Sequence, residues 1–280
     1  MTRCTLRFYE ELNFFLKRHQ RKKDISSASY TTRTVKDLIE SYGVPHVEVD
    51  LILVNGEPVS FDYRIHDNDR ISVYPVFERL DIASVTRLRP EPLRHPKFIA
   101  DVHLKTLARR LRMLGFDTVY DRTLEDSDLA ALSAAESRIL LTRDTRLLMR
   151  NEVTRGLYVR TTDPDLQAKE IADRLDLASK AKPFSRCIRC NGTIQKLDIP
   201  YESADSITEP PGASQAGATD TGLTAGQDDI MAAVLAAVPQ GVREWCRDYF
   251  RCDTCGNIYW KGSHYNRMIA MVRDALSRTT

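Results

Sequence analysis

The sequence predicts an α/β chain in three parts, and three observations carry that expectation. An Asn-Gly turn lies between two apolar runs within the first 80 residues, short apolar strands alternate with amphipathic helices between Lys97 and Leu175, and two Cys-x-x-Cys pairs stand near the end. A chain of 280 residues exceeds one ordinary compact domain, and 42% hydrophobic with 29% charged residues is the balance of a globular protein with real cores, not of a disordered one.

Residues 1–82 read as an α+β unit. Residues 5–9 alternate as a strand, and a polar, basic turn region follows around His19 to Lys23. Thr34 suits the N-cap of a helix through Val35, Leu38 and Ile39 that ends near Gly43. Residues 49–54 and 57–59 flank Asn55-Gly56, the strongest short hairpin signal, and a turn over 65–69 leads to a last strand over 70–76. Two strands, a helix, a hairpin and a closing strand is the order of a β-grasp fold. The stretch VNGEPVSFDYRIHDNDRISVYP resembles the ubiquitin-like sulfur carriers, which act through a free Gly-Gly tail. Here the chain runs on through Phe77-Glu78-Arg79-Leu80, so carrier chemistry is disfavoured, and docking, substrate presentation and a purely structural role stay open.

Residues 83–96 suit an extended linker, with three prolines and four basic residues between Arg87 and Pro96. The second unit, 97–180, starts with a strand over 97–102. A helix follows with Leu104, Leu107, Ala108, Leu111 and Leu114 on one face and Gly115 as its stop. Then come a strand over 116–120, a helix over 127–136, a strand over 138–141, a helix from 145 to about 151, a strand over 157–160 and a helix over 165–175. That alternation calls for a parallel sheet with helices on both faces. Residues 181–280 hold the cysteine pairs, split by a low-complexity insert near 202–240 in which 230–238 has the pattern of a short helix.

In a parallel sheet, ligands gather beyond the carboxyl ends of the strands. Asp101, Asp144 and Asp163 follow three of the strands, and Asp126 opens a helix beside them. Clustered carboxylates repel unless a cation neutralises them, and hard oxygen ligands favour Mg²⁺ or Mn²⁺, which activate water and stabilise a phosphodiester in flight. The same residue types also cap turns and helices, and Glu125 and Asp128 compete with Asp126 for its place. With 41 Lys and Arg against 39 Asp and Glu, only the distribution of charge can argue for nucleic acid. It is uneven: residues 87–112 hold eight Arg and Lys against two acids. Lys105, Arg109 and Arg112 near Asp101, and Arg143 beside Asp144, are candidate phosphate contacts, against the alternative of a solvated helix face.

The stretch KFIADVHLKTLARRLRMLGFDTVYDRTLEDSDLAALSAAESRILLTRDTRLLMR resembles the Mut-seven C-terminal ribonuclease family, a PIN-like group. Its strand-end Asp, helix-start Asp and Thr-Arg-Asp motif match Asp101, Asp126 and Thr142-Arg143-Asp144, and its zinc ribbon matches SRCIRCNG and CDTCGNIYWKGSHYNRM. The resemblance implies a PIN-like parallel sheet, an acid cluster holding Mg²⁺ or Mn²⁺, and endonucleolytic cutting of RNA. A ubiquitin-like front domain is a frequent companion in that family, while the insert after Pro200 departs from it.

Cys187, Cys190, Cys252 and Cys255 are the most specific motif. Two knuckles supply four thiolates for tetrahedral Zn²⁺, and a shell so closed is structural. Cys4 and Cys246 are left over; Cys246 is an alternative ligand or a core residue. Arg186, Arg189, Arg251, Lys261, His264 and Arg267 mix with Tyr259, Trp260 and Tyr265 around the knuckles, a composition that suits stacking on unpaired bases or a small core. The expected partners are RNA and a protein bound by the ubiquitin-like domain. No signal peptide and no membrane segment is evident, which places the chain in the cytosol. The rival to a nuclease is a non-catalytic RNA- or ribosome-binding adaptor. An aspartyl phosphatase is disfavoured because His103 stands where a second Asp belongs.

Overall fold

Cys4, Leu6 and Phe8 recur at every second position of β1 (Thr2–Phe8), and all three are buried, as a strand with one face on a core requires. The computed structural model describes residues 1–29, 33–77, 85–88, 95–197, 232–234 and 236–277. In it β1 lies between β2 (Ile25–Ser29), antiparallel, and β5 (Asp69–Pro75), parallel. β3 (Val49–Val54) and β4 (Glu57–Pro58) complete a five-stranded sheet of order β2-β1-β5-β3-β4, a β-grasp arrangement. The hairpin forms as its turn chemistry dictates: Asn55 and Gly56 both take positive φ, 54° and 93°, the pairing a type I′ turn demands. Thr34 caps α1 (Val35–Ser41) through a box in which its hydroxyl accepts the Asp37 amide at 3.1 Å and the Asp37 carboxylate accepts its own amide at 3.2 Å. Val35, Leu38 and Ile39 then face the core. A 3₁₀ turn over Arg18–Gln20 opens the polar region expected to turn around His19 to Lys23, and another, Glu10–Phe14, precedes it.

β6 (Phe98–Ala100), β7 (Thr118–Val119), β8 (Ile139–Thr142) and β9 (Gly156–Tyr158) form a wholly parallel sheet of order β7-β6-β8-β9. It is flanked by α2 (Lys105–Met113), α3 (Asp126–Ala135), α4 (Thr145–Leu148) and α5 (Pro164–Arg174). Parallel strands buried on both faces need continuous apolar runs, and Phe98-Ile99-Ala100 and Ile139-Leu140-Leu141 provide them, every residue being buried. Gly115, with φ of 94°, follows the end of α2 where the stop was expected. α4 stops at Leu148, three residues short of the expected end, because Met149 closes back on the Thr145 and Arg146 carbonyls.

The β-grasp sheet and this parallel sheet belong to one compact unit of residues 1–111, 116–181 and 275–280. Their junction is built in. Val47 sits in the same core cluster as Ile99, Leu129, Leu140, Leu148 and Val153. The Glu48 side chain is 1% exposed; its carboxylate accepts the Tyr158 amide at 2.6 Å and pairs with the Arg174 guanidinium. A buried carboxylate is tolerable only when so matched.

The second unit, residues 112–115 and 182–274, carries β10 (Ile194–Lys196), β11 (Tyr249–Cys252) and β12 (Ile258–Trp260) as an antiparallel sheet. α6 (Gln240–Arg243) precedes it, and α7 (Tyr265–Leu276) follows, ending in the first unit's residues. Val234, Val238, Cys246, Tyr249 and Ile258 form the core here. Most of the linker (83–84 and 89–94) and most of the insert (202–231 and 235) lie outside the described residues, whereas 232–234 and 236–237 are helical as the pattern of 230–238 suggested. Among the described residues no helix is long and apolar enough to cross a membrane.

Candidate active site and cysteine cluster

The strand order decides where a site belongs. The chain leaves β6 for β7 on one side and returns to β8 on the other, so the carboxyl ends of β6 and β8 are the point at which connections part and a crevice opens. Asp101 is the first residue past β6, and Asp144 the second past β8. Thr142, the last residue of β8 and fully buried, links them: its hydroxyl donates to Asp101 Oδ2 at 2.6 Å and accepts the Asp144 amide at 2.9 Å.

Asp101 is 6% exposed, and Asp144 lies open to solvent as the N-cap of α4, where its Oδ1 accepts the Arg146 amide at 2.7 Å. Each carboxylate thus has one oxygen fixed by a protein donor, and no described donor takes the other. Such a pair, one buried and one open, suits a hard divalent cation, which is commonly held by one or two carboxylates with water and substrate oxygens completing its shell.

The other two acids stand at the same edge of the sheet. Asp126 is the exposed first residue of α3, after β7, while Glu125 caps that helix with Asp128 as its partner in the capping box. Asp163, exposed, follows β9 and caps α5, accepting the Asp165 amide at 2.8 Å with Pro164 behind it. Among the described residues, the only group of three or more metal-capable side chains gathered within 4.8 Å is the cysteine set, so no three of the aspartates lie that close together.

The four basic candidates divide as well. Lys105 and Arg109 are exposed on α2. Arg112 is buried, its guanidinium donating to the Ile188 and Arg189 carbonyls at 3.3 and 3.0 Å, so it serves the first cysteine knuckle and offers no surface charge. Arg143 turns its Nη1 onto the Val159, Arg160 and Thr161 carbonyls at 2.8 to 2.9 Å. It braces the segment leading to Asp163. Neighbouring Arg110 pairs with Asp165 and the Pro164 carbonyl.

In the second unit, the sulfurs of Cys187 and Cys255 are 3.7 Å apart and those of Cys190 and Cys252 3.4 Å apart. Four thiolates at about 2.3 Å from a tetrahedral Zn²⁺ would be roughly 3.8 Å from one another, so the set fits that ion. Burial pushes the Cys187 thiol up, but the Tyr259 hydroxyl at 3.0 Å and the amides of Cys190 and Arg189 outweigh it and bring the thiol down to about 6. Cys246 is buried among Val234, Val238 and Tyr249 instead, apart from the four. Sequence reasoning did not foresee Tyr259 as a sulfur partner, nor Thr142 as the link between aspartates. A hydroxyl ending an otherwise apolar buried strand is the signal that singles out Thr142.

The family described as "Mut7-C RNAse domain" matches residues 96–209 and 228–272, and the family described as "Mut7-C ubiquitin" matches residues 1–81. This chain belongs to the Mut7-C RNase family. Among curated proteins the Mut7-C chain is similar to a human protein named "Exonuclease mut-7 homolog", with 30% identity over 233 residues, covering 66% of this chain and 26% of the human protein. The chain therefore matches about a quarter of that relative's length. No solved structure matches at a significant level.

Proposed function

We propose that this Mut7-C chain is a metal-dependent ribonuclease of PIN-like design, with Asp101 and Asp144 at its centre. The observation that carries the reading is the Thr142-linked carboxylate pair at the switch point of a parallel sheet. The family's description and the relative's name both speak of nuclease chemistry. Asp126 and Asp163, at the starts of α3 and α5 on the same sheet edge, are the further acids that would contribute to holding the cation.

Asp101 and Asp144 would hold Mg²⁺ or Mn²⁺, which would supply positive charge for the phosphodiester and activate water. The chain's own part is positioning. The Thr142 hydroxyl fixes the rotamer of Asp101, the α4 amides fix Asp144, and Lys105 and Arg109 on α2 offer exposed cations for the flanking phosphates. Zn²⁺ at the four cysteines is structural, since four thiolates leave no position for water. The β-grasp sheet, fixed to β9 and α5 through Glu48, is a constitutive part of the nuclease unit that keeps its outer surface for a protein partner.

The test is cleavage of single-stranded RNA labelled in turn at each end, with Mn²⁺ or Mg²⁺. Internal products from both labels identify an endonuclease, and stepwise shortening from one end identifies an exonuclease, the activity in the relative's name. RNA bound without any cutting would give the site to the alternative, an RNA- or ribosome-binding adaptor.

A further inference from the structure

The second unit contains a groove of about 530 Å³ that neither aspartates nor thiolates use. Its walls are aromatic: Phe184, Trp245, Phe250, Tyr259, Trp260 and Tyr265 all line it. Its charged rim is Arg186, Lys261 and His264, and no Asp or Glu lines it. Trp245 is 57% exposed, an unusual cost for an indole unless something covers it.

Three local features hold this surface in shape. Phe184 takes φ of 62°, a conformation a bulky side chain rarely adopts, and its ring lies 5.4 Å from that of Tyr265. Gly262 lets the Trp260 indole lie against the backbone, because a Cβ there would come within 2.8 Å of its ring nitrogen. Lys261 is anchored by Asp248 at 2.8 Å, which keeps the ammonium at the rim.

We infer that this groove binds unpaired bases of a single-stranded RNA, stacked against Trp260, Trp245 and Tyr265 while Arg186, Lys261 and His264 meet the phosphates. Flat apolar walls suit the π-faces of bases without regard to sequence, and the basic rim, with Arg186 beside a Lys261 already paired with Asp248, suits the backbone anion between them. An apolar peptide would fill the walls but leave the rim unmatched. A duplex hides its base faces. The assignment extends the ribonuclease reading by giving it a binding surface, yet it stands on residues remote in sequence from Asp101 and Asp144, and its test reads no cleavage.

The experiment measures binding of a fluorescent decauridylate to the full chain carrying Asp144→Asn, with inorganic polyphosphate, duplex RNA and an apolar helical peptide as competitors. The expected result is quenching of tryptophan fluorescence on binding. Polyphosphate and duplex should compete at least about tenfold more weakly than unlabelled decauridylate. Trp260→Ala and Trp245→Ala should each weaken binding by about tenfold, the loss of one base stack. Trp260→Phe should bind within about threefold of the parent, and each variant should keep one zinc per chain, which separates groove from fold. If Trp260→Ala loses its zinc, the exposed Trp245→Ala and the Trp260→Phe pair decide. Polyphosphate binding as well as RNA, tryptophan variants binding like the parent, or competition by the peptide would each overturn the assignment. Intact groove binding beside an absence of cleavage by the parent chain with Mn²⁺ or Mg²⁺ would sink the nuclease reading alone.

Discussion

At the residue scale the account turns on Thr142. A buried hydroxyl satisfied at both ends contributes little net stability, but removing it strands its partners, which costs about 1–3 kcal/mol. Thr142→Val should therefore lower the unfolding free energy by that amount, seen as a lower urea midpoint at unchanged slope, and Thr142→Ser should recover most of it; a Val variant as stable as the parent would show that the hydroxyl links nothing. Asp144→Asn is expected to behave differently, since Asn caps a helix as well as Asp. Its thermal midpoint should stay within about 2 °C of the parent, so any loss of cutting reports on metal and not on folding. Asp248 marks the opposite extreme. The Lys261 and Lys196 ammonium groups hold its carboxyl at about 2, below the usual value of 3.8. A carboxyl lowered on folding adds stability above its unfolded pKa and loses it as pH falls from about 4 to about 2. Open to solvent on one side, the cluster is screened, and Asp248→Asn should shift the midpoint at pH 7 by less than about 2 °C. Arg112 shows what the sequence could not say: a basic residue on a basic helix looks like a phosphate contact until its carbonyl partners, 76 and 77 residues later, are known.

At the element scale, legibility followed the range of the interaction. The Thr34 cap, the Asn55-Gly56 turn, the Gly115 stop and the alternation of strands and helices all depend on neighbours a few residues apart, and all were readable. The order β7-β6-β8-β9 and the burial of Glu48 against Arg174 depend on pairings across the chain, which local pattern does not encode. Breaking such a buried pair leaves one charge uncompensated, at a cost of about 3–5 kcal/mol. Glu48→Ala should destabilise the first unit by that amount, and Glu48→Leu with Arg174→Leu should cost less than either single change; equal, small effects would mean that the β-grasp sheet is not fixed through this pair. In the second unit the spacing of the cysteines was legible because a metal site needs only its ligands. Cys252→Ser, or a strong chelator, should release one zinc per chain and unfold β10 to β12, seen as lost protection from hydrogen exchange there and unchanged protection in β6 and β8.

At the scale of the whole molecule, the two units divide the labour. The first joins a β-grasp sheet to a parallel sheet that presents two linked aspartates at its switch point, and the second holds a thiolate cluster beside an aromatic groove. That Asp101 and Asp144 follow strands of a parallel sheet was legible, because the alternation of strand and helix sets those strand ends. Whether Asp126 and Asp163 join them is not written in the local pattern, because helix caps and metal-binding acids share one residue type: Asp163 caps α5, and Asp126 opens α3 behind the Glu125 cap. The measurement that bears most directly on the central claim is cleavage of a single-stranded RNA by the purified chain with Mn²⁺, beside Asp144→Asn of matched stability and a chelated control whose zinc content is checked. Cutting should depend on Mn²⁺ and fall at least about a hundredfold in the variant, as loss of a carboxylate ligand to a catalytic metal entails; cutting by Asp144→Asn at the parent's rate would rule Asp144 out of the site.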